Sequence, residues 1–209
     1  MLCLQGDPEA AQIILNHAML GTDAVTVNKA KDWSAVPDSE LRVPVVFVML
    51  DVTHKVLVSN DVLATIQRKH LLADKTSAAA TAAAAAAATT TPLPSTSPLL
   101  SKYGQLITSL FLFFADSYKK TFKFDHGPPL HDPVAVFYAL NPAAFSAPAF
   151  PVAVECARSL SRGQTVVDVW GQTSKEANAL VCESVDLGLF WEAMGDAIGR
   201  VGETAQMDK

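Results

Sequence analysis

Gly127-Pro128-Pro129-Leu130-His131-Asp132-Pro133-Val134-Ala135-Val136-Phe137-Tyr138-Ala139-Leu140-Asn141-Pro142 sets a histidine beside a carboxylate, behind two prolines, and runs into an apolar segment that Asn-Pro closes. The pattern predicts a loop feeding a buried helix. Asp132 has the side chain for an N-cap, because its carboxylate can accept orphan N–H groups of the first turn, and Pro133 suits the first helical position. Asp-Pro helix starts are common, so a simple cap with a bystander His131 competes with a functional pair at the mouth of a pocket.

Upstream, Leu99, Tyr103, Leu106, Ile107, Leu110, Phe111 and Phe114 recur at helical spacing and predict an amphipathic helix from Leu99 to Lys120, with Tyr118 at its end. An aromatic stripe of this kind is usually packing, so Tyr118 reads first as a core or rim residue. Downstream, Pro151 to Cys156 and Thr165 to Trp170 are β-like runs joined through Ser161-Arg162-Gly163, which predicts a hairpin added to a sheet. A short strand, Ala179 to Ser184, and a helix from about Asp186 to Val201 follow. The tail after Gly202 is expected to fray.

The N-terminal part carries its own signals. Asp7 is a candidate N-cap with Pro8 as the first helical residue and Glu9 at the positive end of the helix dipole. A polar stretch, Thr22 to Arg42, leads to Val43-Pro44-Val45-Val46-Phe47-Val48-Met49-Leu50, an apolar run without alternation, as in a parallel strand covered on both faces. Ligands of open α/β sheets sit beyond the carboxyl ends of such strands, where Asp51, Thr53 and His54 fall. Asp51 and Thr53 could equally bond local backbone, and His54 reads as solvated. Ser59 or Asn60 can cap a helix from Asp61 to about Ala73 that places Val62, Leu63, Ile66 and His70 on one stripe.

Composition limits the function classes. A chain of 209 residues with 50% hydrophobic content can bury a sizeable core. The formal charge of −5 and the absence of a Lys/Arg cluster argue against nucleic acid as a partner. Cys3, Cys156 and Cys182 have no metal-type spacing and fit buried thiols in a reducing compartment. No basic, apolar leader stands at Met1, and the run from Leu106 to Phe114 is well short of the roughly 20 residues a bilayer needs. A cytoplasmic protein without a membrane role is expected. Thr76 to Pro98 holds an alanine tract, a threonine run and three prolines, with no charged residue or amphipathic face, and reads as a mobile, dispensable insertion.

Several motifs, in order, resemble those of the inosine-uridine preferring nucleoside hydrolases: Asp7-Pro8-Glu9-Ala10-Ala11, Leu50-Asp51-Val52-Thr53, the His131-Asp132-Pro133 helix, and Arg162-Gly163-Gln164-Thr165-Val166-Val167-Asp168. The resemblance covers most of the chain outside the insertion. It implies an α/β fold, a partial Rossmann-like sheet with flanking helices that lacks the family's N-terminal strands. It divides the chain into a first part of the domain (1–75), the insertion (76–98), the C-terminal part (99–202) and a tail (203–209).

The activity implied by the resemblance is hydrolysis of the N-glycosidic bond of purine or pyrimidine ribonucleosides, with calcium gripping the ribose diol and the attacking water. By the family's motif Asp132 is a calcium ligand, His131 the acid that protonates the departing base, and Tyr118 a residue brought toward the nucleobase. Family members commonly form homo-oligomers. The chain departs from the pattern in two places: the Asp-x-Asp-x-x-x-Asp-Asp loop is absent, and Met1-Leu2-Cys3 stands where the family has Glu-Phe-Asn. Asp132 alone cannot provide the about six to eight oxygens that calcium takes, so the chain reads as the C-terminal part of such an enzyme. The alternative is a catalytically inactive remnant that serves as an interaction or oligomerisation module.

Overall fold

The computed structural model describes residues 7–16, 45–70 and 91–207, which form helices and short strands in two compact units. One unit draws on the described residues within Met1–Thr53 and on Tyr138–Val185; the other combines His54–Phe137 with Asp186–Lys209. The expectations for Met1 to Gly6, Thr22 to Arg42 and the alanine tract concern residues outside the described ones.

In the first unit, α1 (Pro8–Asn16) starts as its sequence requires: Ala10 N–H donates to Asp7 Oδ1 at 2.9 Å and Ala11 N–H to the Asp7 carbonyl at 3.1 Å. The apolar run after Pro44 yields only a two-residue strand, β1 (Val46–Phe47), and then turns into a one-turn helix, α2 (Leu50–Thr53). β2 (Phe145–Ser146), β3 (Ala149–Phe150), β4 (Val152–Val154), β5 (Thr165–Val167), β6 (Ala179–Val181) and β7 (Ser184–Val185) follow the 3₁₀ turn Pro142–Ala144. β6 is the centre of a three-stranded sheet in the order β1-β6-β3, parallel to β1 (Val46 opposite Leu180) and antiparallel to β3 (Ala149 opposite Leu180). Leu15 of α1 packs with Val152, Val154, Ala179 and Val181 to form its core.

The predicted hairpin is present, with Val152 opposite Val167 and Val154 opposite Thr165, but it stands as a separate two-stranded sheet. Side chains explain why. Val152 N–H donates to Asn178 Oδ1 at 2.7 Å, Asn178 Nδ2 donates to the Val152 carbonyl at 2.9 Å, and Val154 N–H donates to Gln12 Oε1 at 2.7 Å. The outer backbone groups of β4 are thereby satisfied without a further strand. Arg162, at the hairpin turn, forks onto Glu9 of α1 with both N···O distances at 2.7 Å and also donates to the Cys156 carbonyl. Asp168 closes the turn after β5 by accepting from Gln172 N–H, Thr173 N–H and the Thr173 hydroxyl; these bonds, the hydroxyl's foremost, hold its carboxyl below the usual range. Burial pushes the Cys182 thiol up to about 11, so it stays protonated and inert near neutrality.

The second unit is helical: α3 (Asn60–Arg68), α4 (Lys102–Phe122), the start of α5 (His131–Leu140) and α6 (Leu187–Met207). Ser59 caps α3 through Val62 N–H, and Ser101 caps α4 through Gly104 N–H at 3.1 Å. Leu63, Ile66 and His70 are buried as the stripe predicts. Two expectations need correction. The tail does not fray at Gly202: α6 runs through it to Met207, because Gly202 is seated against the His70 ring, where a Cβ would fall 2.5 Å from Cε1. The end of the stretch read as a mobile insertion is tied down: Leu93 N–H donates to Gln67 Oε1 at 2.8 Å, Gln67 Nε2 donates to the Leu93 carbonyl at 2.9 Å, and Ser97 is buried. No described helix is long and apolar enough to cross a membrane.

Candidate functional site

The chain reaches His131 through a fixed approach. Gly127 has φ +105°, and a Cβ there would lie 2.3 Å from the Val58 carbonyl oxygen, so only glycine fits the turn. Val58 N–H then donates to the Pro128 carbonyl and Leu130 N–H to the Val56 carbonyl, both at 3.1 Å, pinning 128–130 antiparallel to 56–58. α5 begins at His131, where the Leu130 carbonyl accepts Val134 N–H at 3.3 Å. The expected cap is therefore displaced: Asp132 lies within the first turn, exposed, where the positive end of the dipole favours its carboxylate.

Three aromatic groups meet at this helix start. Tyr118, at the end of α4, places its hydroxyl 2.9 Å from His131 Nε2. Its backbone is held by Lys123, whose left-handed conformation (φ 57°) turns the chain and directs its N–H to the Tyr118 carbonyl. His54 stands with its ring centroid 5.4 Å from that of His131 and 5.7 Å from Phe124. Burial, then the repulsion of His54, lower the His131 pKa from its ordinary value, while the Asp132 carboxylate opposes the shift.

A cavity of about 490 Å³ opens beside this cluster, walled by Leu110, Phe114 and Tyr118 of α4, by Pro128–Pro133, and by Met194 and Ile198 of α6. It is mostly apolar, with Tyr103, Tyr118, His131 and Asp132 supplying side-chain polar groups. That is the composition and size of a small-molecule site.

The sequence placed His131, Asp132 and Tyr118 in one neighbourhood, and the structure brings His131 and Tyr118 into contact. It adds the His54 ring, which is exposed as the sequence suggests and yet stands beside His131. The pairing of 56–58 with 128–130, which carries His54 there, has no signal in local residue pattern. Asp51 is exposed and Thr53 buried on α2, in the other unit.

As a calcium site the described residues do not suffice. No group of three or more His, Cys, Asp or Glu gathers among them, and the groups packed on His131 are imidazole and phenol, whereas calcium takes about six to eight oxygens.

The architecture is mixed α/β, with a histidine–tyrosine pair at a helix start beside an apolar cavity. The sequence profile of the inosine-uridine preferring nucleoside hydrolases matches residues 4–192, and the chain belongs to that family. It is 34% identical over 159 residues to a probable ribonucleoside hydrolase of Dictyostelium discoideum, covering 76% of this chain and 39% of the relative. Among solved structures it is similar to an inosine-guanosine nucleoside hydrolase, with a TM-score of 0.55 and 19% identity over 91% of this chain and 45% of the other. A purine-preferring ribonucleoside hydrolase from Gardnerella vaginalis gives a TM-score of 0.54 and 20% identity over 78% of this chain and 42% of the other. The chain thus spans about two fifths of the length of the relatives it matches.

Proposed function

We propose that this chain carries the leaving-group side of a ribonucleoside hydrolase site, in which water cleaves the N-glycosidic bond of a purine or pyrimidine ribonucleoside. The observation that supports it is the 2.9 Å contact between the Tyr118 hydroxyl and His131 Nε2 at the head of the apolar cavity. A nucleobase leaves poorly as an anion, and an imidazolium can supply the proton it needs. His131 is that acid. Its Nε2 proton passes to the Tyr118 oxygen as the phenol hands its own to the base, so both residues end neutral. The apolar wall offers the base a surface to pack against.

Asp132 is proposed as one ligand of a calcium ion whose charge would bind the ribose hydroxyls and the attacking water. The remaining donors are not among the described residues, so no step is assigned through the ion. A second reading, an inactive module for interaction or self-association, is favoured by the exposure of Leu106, Leu110, Phe113 and Phe114 along α4.

The test is a chimera that joins this chain to the N-terminal part of an active relative, assayed for base release from ribonucleosides. Turnover that depends on His131 supports the hydrolase reading. A folded chimera that binds no nucleoside and releases no base supports the second.

A further inference from the structure

The two buried polar side chains at the end of α3 are treated in opposite ways. Gln67 is fully engaged: its amide donates to the Leu93 carbonyl and to Thr108 Oγ1, and its oxygen accepts Leu93 N–H. His70, one turn on, is 3% exposed, and its Nε2 has no hydrogen-bond partner among the described residues. The ring fills a slot between two helices. A Cβ at Gly104 of α4 would lie 2.7 Å from His70 Cβ, and one at Gly202 of α6 would lie 2.5 Å from Cε1 and 2.7 Å from Nδ1. The Tyr103 ring closes the slot edge-on, with centroids 5.3 Å apart and planes at 74°.

Among the described residues no carboxylate meets the ring. From its own chain segment the neighbouring charge is Lys69, a cation. From α4 the titratable neighbour is Tyr103, whose aromatic carbons face it. From α6 the contact is Gly202; Asp196 is spent on Lys69 at 2.9 Å, and Glu203 beside Gly202 is exposed. An imidazolium in that slot would be a buried charge next to a like charge with an unsatisfied donor, which is strongly disfavoured.

We propose that His70 is an acid-sensitive latch, neutral while seated between Gly104 and Gly202, whose protonation drives the ring out and releases α6 from α4. Burial, seconded by Lys69, lowers the pKa of the seated ring below its ordinary value, in agreement with this geometry. The sign follows directly. The released state binds the proton more tightly than the seated one, so the latch is closed above the ordinary histidine pKa of about 6.5 and loses grip as pH falls below it, by up to tenfold in the opening equilibrium per pH unit. Met194 and Ile198 of α6 wall the cavity beside Tyr118 and His131, so release of α6 would dismantle that wall. The latch itself does not depend on the hydrolase reading.

Hydrogen exchange of the amides of 187–207 in the full chain, between pH 7.5 and 5.5 and corrected for the intrinsic rate, tests this without any activity assay. The expected result is a loss of protection of up to tenfold per pH unit below about pH 6.5 in the wild type. His70→Leu, which keeps an apolar occupant in the slot, should abolish that dependence, and His126→Asn should retain it. If His70→Leu does not fold, the His70 ring resonance of the wild type decides: it should stay neutral until α6 opens. Titration of His70 near its ordinary value with α6 still protected would overturn the proposal. So would a pH dependence that survives in a folded His70→Leu.

Discussion

The Tyr118 hydroxyl and His131 Nε2 lie 2.9 Å apart, so the state of one fixes the role of the other. With neutral His131 protonated on Nδ1, the phenol donates to Nε2; with cationic His131, Nε2–H donates to the phenol oxygen. Tyr118→Phe removes this choice while keeping the ring. In an active chimera it should lower turnover of natural nucleosides by somewhat less than the ~10²–10⁴-fold of a lost general acid, because His131 remains. Equal rates for Tyr118→Phe and the parent would show that the phenol lies outside the proton path.

His131 should also report its neighbours by titration. Its pKa is lowered by burial and by His54, and held up by Asp132. His54→Asn removes the repulsion, so the His131 pKa should rise; Asp132→Asn removes the support, so it should fall. Ring-proton NMR across about pH 4.5–8.5, roughly two units either side of the ordinary value, reads both. Shifts of the opposite sign would mean that the three groups are not neighbours in solution.

Much of this organisation was legible because capping and turn chemistry are local. Asp7, Ser59 and Gly163 sit at residues whose side chains or backbone freedom announce a helix start or a turn, and the hairpin followed from β-like runs on either side of one. What the sequence hid is long-range or competitive. Nothing near His54 says that 56–58 will pair with 128–130, and nothing near Val152 says that Asn178 and Gln12 will take its sheet edge. The α4 stripe was visible, but its burial was not: Leu106 and Phe114 are 54% and 50% exposed, and the deeply buried positions are Gly104 and Thr108.

Gly127→Ala should both destabilise the protein and disturb the site. The residue would be held at φ +105° with its Cβ against the Val58 carbonyl, a strain of about 1–3 kcal/mol. The turn positions His131, so its ring contact with His54 should change along with the denaturation midpoint. A variant of unchanged stability would mean that the 127–130 segment relaxes freely.

The boundary of the dispensable segment should fall between the alanine tract and Leu93. Deleting 78–90 should leave the denaturation midpoint nearly unchanged, since loop length costs little entropy and the tract has no apolar face. Extending the deletion through Pro94 should cost about 1–3 kcal/mol, as should Gln67→Leu, because each leaves buried polar groups of the Gln67, Leu93 and Thr108 set unpaired. Equal midpoints for the two deletions would refute the role given to Leu93.

Asp132 and His131 are adjacent but should fail differently. By itself the chain should bind calcium only weakly, because one exposed carboxylate at a helix start cannot replace the about six to eight oxygens of a complete site; calorimetry showing a micromolar site would contradict this. In an active chimera, Asp132→Ala should suppress base release from every substrate alike, as expected of a ligand that all the transition states share. His131→Ala should be selective. It should slow natural nucleosides, whose base needs a proton to leave, by ~10²–10⁴-fold, and spare nitrophenyl riboside, whose leaving group does not. Equal losses on both substrates would assign His131 to holding the sugar or the fold, and the proton would have to come from elsewhere.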